Sequence, residues 1–125
     1  MVERIFLAVM GLLYAGLATW CAVAPAETSA TVGFELKGGS GRSEFLTVYG
    51  GLELGLALIF LLPAILDRHT RPAVLACLII HACLVATRSV SFVMFDGISA
   101  STYKLAVGEW VIFLASLAVW WRGSR

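Results

Sequence analysis

Residues 46–66, LTVYGGLELGLALIFLLPAIL, decide the fold. At 1.5 Å of rise per residue, a helix of about 20 mostly apolar residues crosses the hydrocarbon core of a bilayer. This stretch has that length, its one charged side chain is Glu53, and Pro63 falls near its far end. Three more runs share its character. Residues 5–24 are closed by Pro25, residues 72–95 open on Pro72, where a first helical turn accepts proline, and residues 103–121 end on Trp120 and Trp121. Residues 21–24 offer the small side chains of a signal-peptide cleavage site. Pro25 would sit directly after that cut, however, and Arg4 stands alone beside Glu3, so the first run is expected to remain as a span.

Composition agrees with a bilayer. Of 125 residues, 60% are hydrophobic and 14% charged, and the mean hydropathy is +0.92. Globular proteins are about 45–50% apolar and about 25% charged. A net charge of +1 with no basic tract excludes a nucleic-acid partner. The length fits a single domain, residues 1–125.

The expected fold is therefore all-α: an integral membrane four-helix antiparallel bundle, with helices at 5–24, 46–66, 72–95 and 103–121. A long outer loop, 26–45, joins the first two. Arg4, Arg68, Arg71, Arg122 and Arg125 would lie on one side, and Lys37, Arg42 and Lys104 on the other. The bias places both termini in the cytoplasm, and a bacterial inner membrane is the expected location. Within the loop, Val32, Phe34 and Leu36 alternate with Gly33 and Glu35, a strand signal, and Gly38-Gly39-Ser40-Gly41 reads as a flexible turn. A short strand or hairpin across the outer mouth and a solvated linker are the two readings of that segment.

Glu53, Arg88 and Glu109 carry the functional signal. Each lies about 10 Å from the outer end of its expected helix, so the three share a layer. One charge near the bilayer centre costs about 2.5–3.5 kcal/mol, and three unpaired charges would cost about 7–10 kcal/mol. They must face one another or a wet cavity. Arg88 suits such a layer, because its planar fork can serve two carboxylates. Tyr49, one turn before Glu53, Ser91, one turn beyond Arg88, and Arg42 from the loop complete the candidate ligand-binding set. Tyr14 and Thr19 on the first helix are placed to reach the same interior, over an expected pocket with an apolar body. A buried ion network that only fixes helix pairing is the bland alternative.

Other signals are weaker. His81, with Cys77 one turn before it, reads as a hydrogen-bonded core histidine, with heme ligation left open. No metal or cofactor is implied. Cys21, Cys77 and Cys83 read as small core hydrophobes. Gly51 and Gly55 form a small-x-x-x-small pair that would admit a neighbouring helix, in the bundle or at a homodimer seam. Hydrolase triads, phosphate loops and dinucleotide fingerprints are not visible.

Arg42, the run Tyr49-Gly50-Gly51-Leu52-Glu53-Leu54-Gly55-Leu56, then Arg88-Ser89-Val90-Ser91, Asp96-Gly97 and Glu109 resemble small DoxX-like four-helix membrane proteins. The likeness is closest to an uncharacterised bacterial branch and covers nearly the whole chain. It implies four helices with polar residues gathered at one end. The wider group includes subunits linked to thiosulfate–quinone oxidation and a receptor-assembly chaperone, and no cofactor motif of the redox subunits is shared here.

Three functions compete on this basis. The first is a binding or accessory protein that holds a lipophilic small molecule, or a membrane-protein partner, over the Glu-Arg-Glu layer. The second is a small membrane enzyme, an isomerase or a quinone-linked oxidoreductase, with a buried Glu as acid/base. The third is a proton-coupled transporter.

Overall fold

Proline and glycine punctuate the chain where the apolar runs stop, and helices fill the space between them. A computed structural model describes residues 1–123; Arg125, one of the expected inner charges, lies outside the described residues. Of the described residues 88% are helical, and none forms a strand. Helix α1 is Val2–Val23, α2 Pro25–Thr31 and α3 Gly38–Phe45. A π-helical segment, Leu46–Gly51, joins α3 to α4, Leu52–Leu61. Helices α5, Thr70–Met94, and α6, Ala100–Gly123, complete the fold. Four helices are long and apolar enough to cross a membrane, Val2–Val23, Gly38–Ala64, Asp67–Met94 and Ala100–Gly123. Bulky apolar side chains on their outward faces, such as Leu12, Leu58, Val107 and Leu114, are exposed. In a water-soluble monomer so much exposed apolar surface would be exceptional.

The expected strand does not form, and the reason is local. Gly33 takes φ +83°, Phe34 N–H donates to the Ser29 carbonyl at 2.8 Å, and Gly33 N–H donates to Ala30 at 3.1 Å. This is a Schellman cap: the left-handed glycine ends α2 and uses the alternating stretch as its exit. The Gly38-Gly39-Ser40-Gly41 run is helical rather than a turn, and opens α3. Glycine costs about 1 kcal/mol in a helix interior, but here it occupies the first turn, where Gly41 N–H reaches the Lys37 carbonyl at 3.1 Å. The second membrane-length helix thus starts at Gly38 instead of Leu46, and the irregular part of the connection shrinks to residues 32–37.

Two helix pairs make the bundle. The most extensive contact is α1 on α4, followed by α5 on α6. A core of Leu7, Met10, Tyr14, Phe60, Val74 and Cys77 joins the pairs in the half that holds the N-terminus and the Asp67–His69 turn. That end is also clamped by charge. Arg71 Nη1 donates to Glu3 Oε1 at 2.9 Å and to the Trp120 carbonyl at 3.1 Å, and its guanidinium lies 4.0 Å from the Trp120 ring centroid. One arginine therefore ties α1, α5 and α6 together. Arg4 pairs with Asp67 at 3.0 Å and caps the Ala64 carbonyl.

Inside the bundle α1 and α4 approach closely at Gly11, and the Gly51–Gly55 pair makes no such contact within it. A methyl on Gly11 would stand 2.5 Å from Leu61 Cγ and 3.2 Å from the Ala57 carbonyl, whereas Gly55 has nothing within 4 Å. Gly11→Val should lower the melting temperature in detergent by the equivalent of about 1–3 kcal/mol, the usual cost of overpacking. Gly55→Val is the control that should leave the monomer's melt unchanged.

Candidate functional site

Helix α5 carries Arg88 toward α6, where Glu109 meets it. Arg88 Nη2 donates to Glu109 Oε1 at 2.6 Å and Nε to Oε2 at 3.0 Å, a two-pronged ion pair. The two side chains keep 29% and 15% of their surface exposed. The pairing uses the Nε–Nη2 edge of the guanidinium, and Nη1 takes no hydrogen-bond partner among the described residues.

Glu53 does not join them. It sits in the first turn of α4, half-buried, and Cys21 Sγ on α1 points at its Oε2 from 4.0 Å. Its carboxylate has no ion pair among the described residues. The expected three-residue ion layer is therefore one pair and one separate carboxylate. Helix pairing explains the split, because α4 lies mainly on α1, which turns Glu53 toward Cys21 rather than toward α5.

Tyr49 precedes Glu53 by one helical turn and belongs to the π-helical segment. Its ring stacks on Phe45 at 4.8 Å and meets the edge of Phe34 at 5.6 Å. Phe34 comes from the irregular stretch after α2, so the connecting segment is pinned over Tyr49. The Tyr49 hydroxyl makes no hydrogen bond among the described residues. A π segment is rare, and such segments recur at functional sites.

The remaining expected residues stand differently. Ser91 returns its hydroxyl to the Arg88 carbonyl at 2.8 Å, so it lends little polarity. With Leu84, Thr87 and Arg88 it lines a shallow groove of about 250 Å³. Arg42 is exposed on α3 and has no ion pair among the described residues. Thr19 is exposed and bonds back to Ala15 at 2.8 Å. Cys83 is exposed instead of lying in the core.

Inward of this layer the expected apolar cavity is filled by side chains. His81, 1% exposed, directs Nδ1 to the Cys77 carbonyl at 2.8 Å and Nε2 to the Tyr14 hydroxyl at 3.0 Å. A carbonyl only accepts, so Nδ1 carries the proton, and Tyr14 donates to Nε2. Tyr14 also packs edge-on against Phe60 at 5.6 Å. Both nitrogens of His81 are thus engaged, and an axial ligand to a heme would have to give up Tyr14. Among the described residues no group of three or more His, Cys, Asp or Glu side chains converges as a metal site would require. Sequence reading placed Tyr14 near this interior but gave it no partner, and it missed the Arg71 clamp.

Fold and site together define a small multi-pass helical protein of membrane-spanning proportions, with an ion pair and a separate half-buried carboxylate toward one end. The chain belongs to the family described as Domain of unknown function (DUF4345), whose model matches residues 2–122. No curated protein and no solved structure matches it. The family brings no activity with it, so function rests on the site.

Proposed function

We propose that this chain is a binding or accessory protein of a bacterial inner membrane. Both termini face the cytoplasm, and the end bearing Glu53 and Arg88 faces outward. There it holds a lipophilic molecule whose polar head sits among Glu53, Tyr49 and the Arg88–Glu109 pair. The observation that carries the reading is the Glu53 carboxylate, half-buried in a membrane-length helix and met, among the described residues, only by a thiol at 4.0 Å. A carboxylate so placed is costly unless something completes its hydrogen bonds. The segment from Gly33 to Lys37, held by Phe34 on Tyr49, is the lid of this site. The DoxX-like resemblance adds architecture to the reading, and no activity.

The same unpaired carboxylate supports a second reading, a small isomerase or quinone-linked oxidoreductase with Glu53 as acid/base. Proton-coupled transport is less favoured. Leu7, Phe60, Val74 and Cys77, each 0–1% exposed, form a dry layer between the site and the opposite end.

Tyr49→Phe tests the binding reading, because its hydroxyl has no hydrogen-bond partner among the described residues to lose. Native mass spectrometry of wild type purified in mild detergent should show a bound small molecule. The variant should retain about fivefold less of it at an unchanged melting temperature, as expected for one hydrogen bond worth about 1 kcal/mol. An adduct unaffected by the change, or none in the wild type, would sink the proposal.

A further inference from the structure

Charges do not balance at the end of the bundle that holds the Asp67–His69 turn. Arg71 reaches Glu3 at 2.9 Å, and the next residue of α1, Arg4, reaches Asp67 at 3.0 Å. These pairs engage both side-chain carboxylates that the described residues place there, and two arginines are left over. Arg68 follows Asp67 in the turn. Arg122 precedes Gly123, which packs so closely on the Arg71–Glu3 pair that a methyl there would collide with both. Contact through Asp67, Arg4, Glu3 and Arg71 therefore joins Arg68 and Arg122 into one surface. Both are exposed, and neither takes an ion pair among the described residues. Arg68 Nε donates to His69 Nε2 at 3.2 Å, which leaves the two terminal nitrogens of its fork open among the described residues. Apolar side chains interleave with these charges. Val2 and Ile5 flank Glu3 and Arg4, Ile65 precedes the turn, and Trp121 adjoins Arg122, all of them exposed. A soluble anion has nothing to offer that apolar rim, whereas a lipid, anionic at its head and apolar below it, matches both parts.

We propose that this end of the bundle binds anionic phospholipid head groups, with Arg68 and Arg122 donating to phosphate oxygens. A zwitterionic head group carries its own ammonium beside the phosphate and gains less from surplus arginine. The surface lies at the opposite end of the helices from Glu53 and Arg88, and it stands independently of the function proposed there.

Lipid competition tests this. The full chain in mild detergent is offered equal amounts of phosphatidylglycerol and phosphatidylcholine with identical acyl chains, and retained lipid is weighed by native mass spectrometry. Phosphatidylglycerol should exceed phosphatidylcholine by about 25-fold, about fivefold from each arginine held near a lipid surface. Arg68→Gln and Arg122→Gln should each lower that preference by about fivefold. Neither change threatens the fold, since both side chains are exposed and make no ion pair among the described residues. Lys104→Gln removes the same charge from an exposed position in the first turn of α6, at the other end, and should leave the preference as it is. Glycerol 3-phosphate, offered at the lipid's concentration, should displace none of it. Equal retention of the two lipids, or a preference that survives both arginine changes, would overturn the proposal. So would an equal loss in Lys104→Gln, which would reduce the effect to net charge. Displacement by glycerol 3-phosphate would overturn it too, by assigning the surface to a soluble anion.

Discussion

Arg88→Ala should destabilise the bundle by about 2–5 kcal/mol, because it leaves the Glu109 carboxylate without its cation in a membrane-length helix. Glu109 offers both oxygens to Arg88 at 2.6 and 3.0 Å and keeps only 15% of its side-chain surface exposed. It has little opportunity to find another donor. The double replacement Arg88→Met with Glu109→Met should recover most of the loss, because exchanging a buried ion pair for apolar side chains is often neutral or favourable. Thermal unfolding of the single and double variants in one detergent closes the cycle. A double variant as unstable as Arg88→Ala would mean that the pair has partners beyond each other. The experiment also shows why Arg88 is a poor probe of ligand binding, since its loss acts on the fold first. The Tyr49 hydroxyl and the Glu53 carboxylate, which take no ion pair and at most a thiol contact among the described residues, are the better probes.

His81→Ala should cost a comparable amount, about 3–5 kcal/mol. It opens a cavity in a site that is 1% exposed and strips the Tyr14 hydroxyl of its acceptor. His81→Phe would restore much of the volume but still orphan the hydroxyl. Tyr14→Phe combined with His81→Phe should therefore be more stable than His81→Phe alone, since removing both partners spares the stranded polar group. Melting curves decide this too. If the double variant gains nothing, the Tyr14–His81 bond at 3.0 Å is not what holds the ring in place.

The four spans were legible because each is an apolar run that proline or a charged turn interrupts. Pro25 and Pro72 mark their boundaries to within two residues of the observed helix ends. The segment after α2 misled because alternation is only a local signal. Gly33 was needed as a helix cap, and no second strand stood ready to pair. Depth along a helix was readable, which is why Glu53, Arg88 and Glu109 were singled out. Rotation was not, because each membrane-length helix is apolar on most of its sides and periodicity does not say which face meets which neighbour. Hence Glu53 was given to Arg88 when its neighbour is Cys21, and Gly11 was overlooked for Gly55. The π segment over Leu46–Gly51 leaves no sequence signature beyond its closing glycines.

The Arg71 clamp has a mechanical consequence. Glu3, Trp120 and the apolar core fasten the α1–α4 and α5–α6 pairs at one end, and Tyr14–His81 adds a hydrogen bond between them further along. The bundle is moored at the Arg71 end, and whatever displaces this one guanidinium is felt by α1, α5 and α6 together.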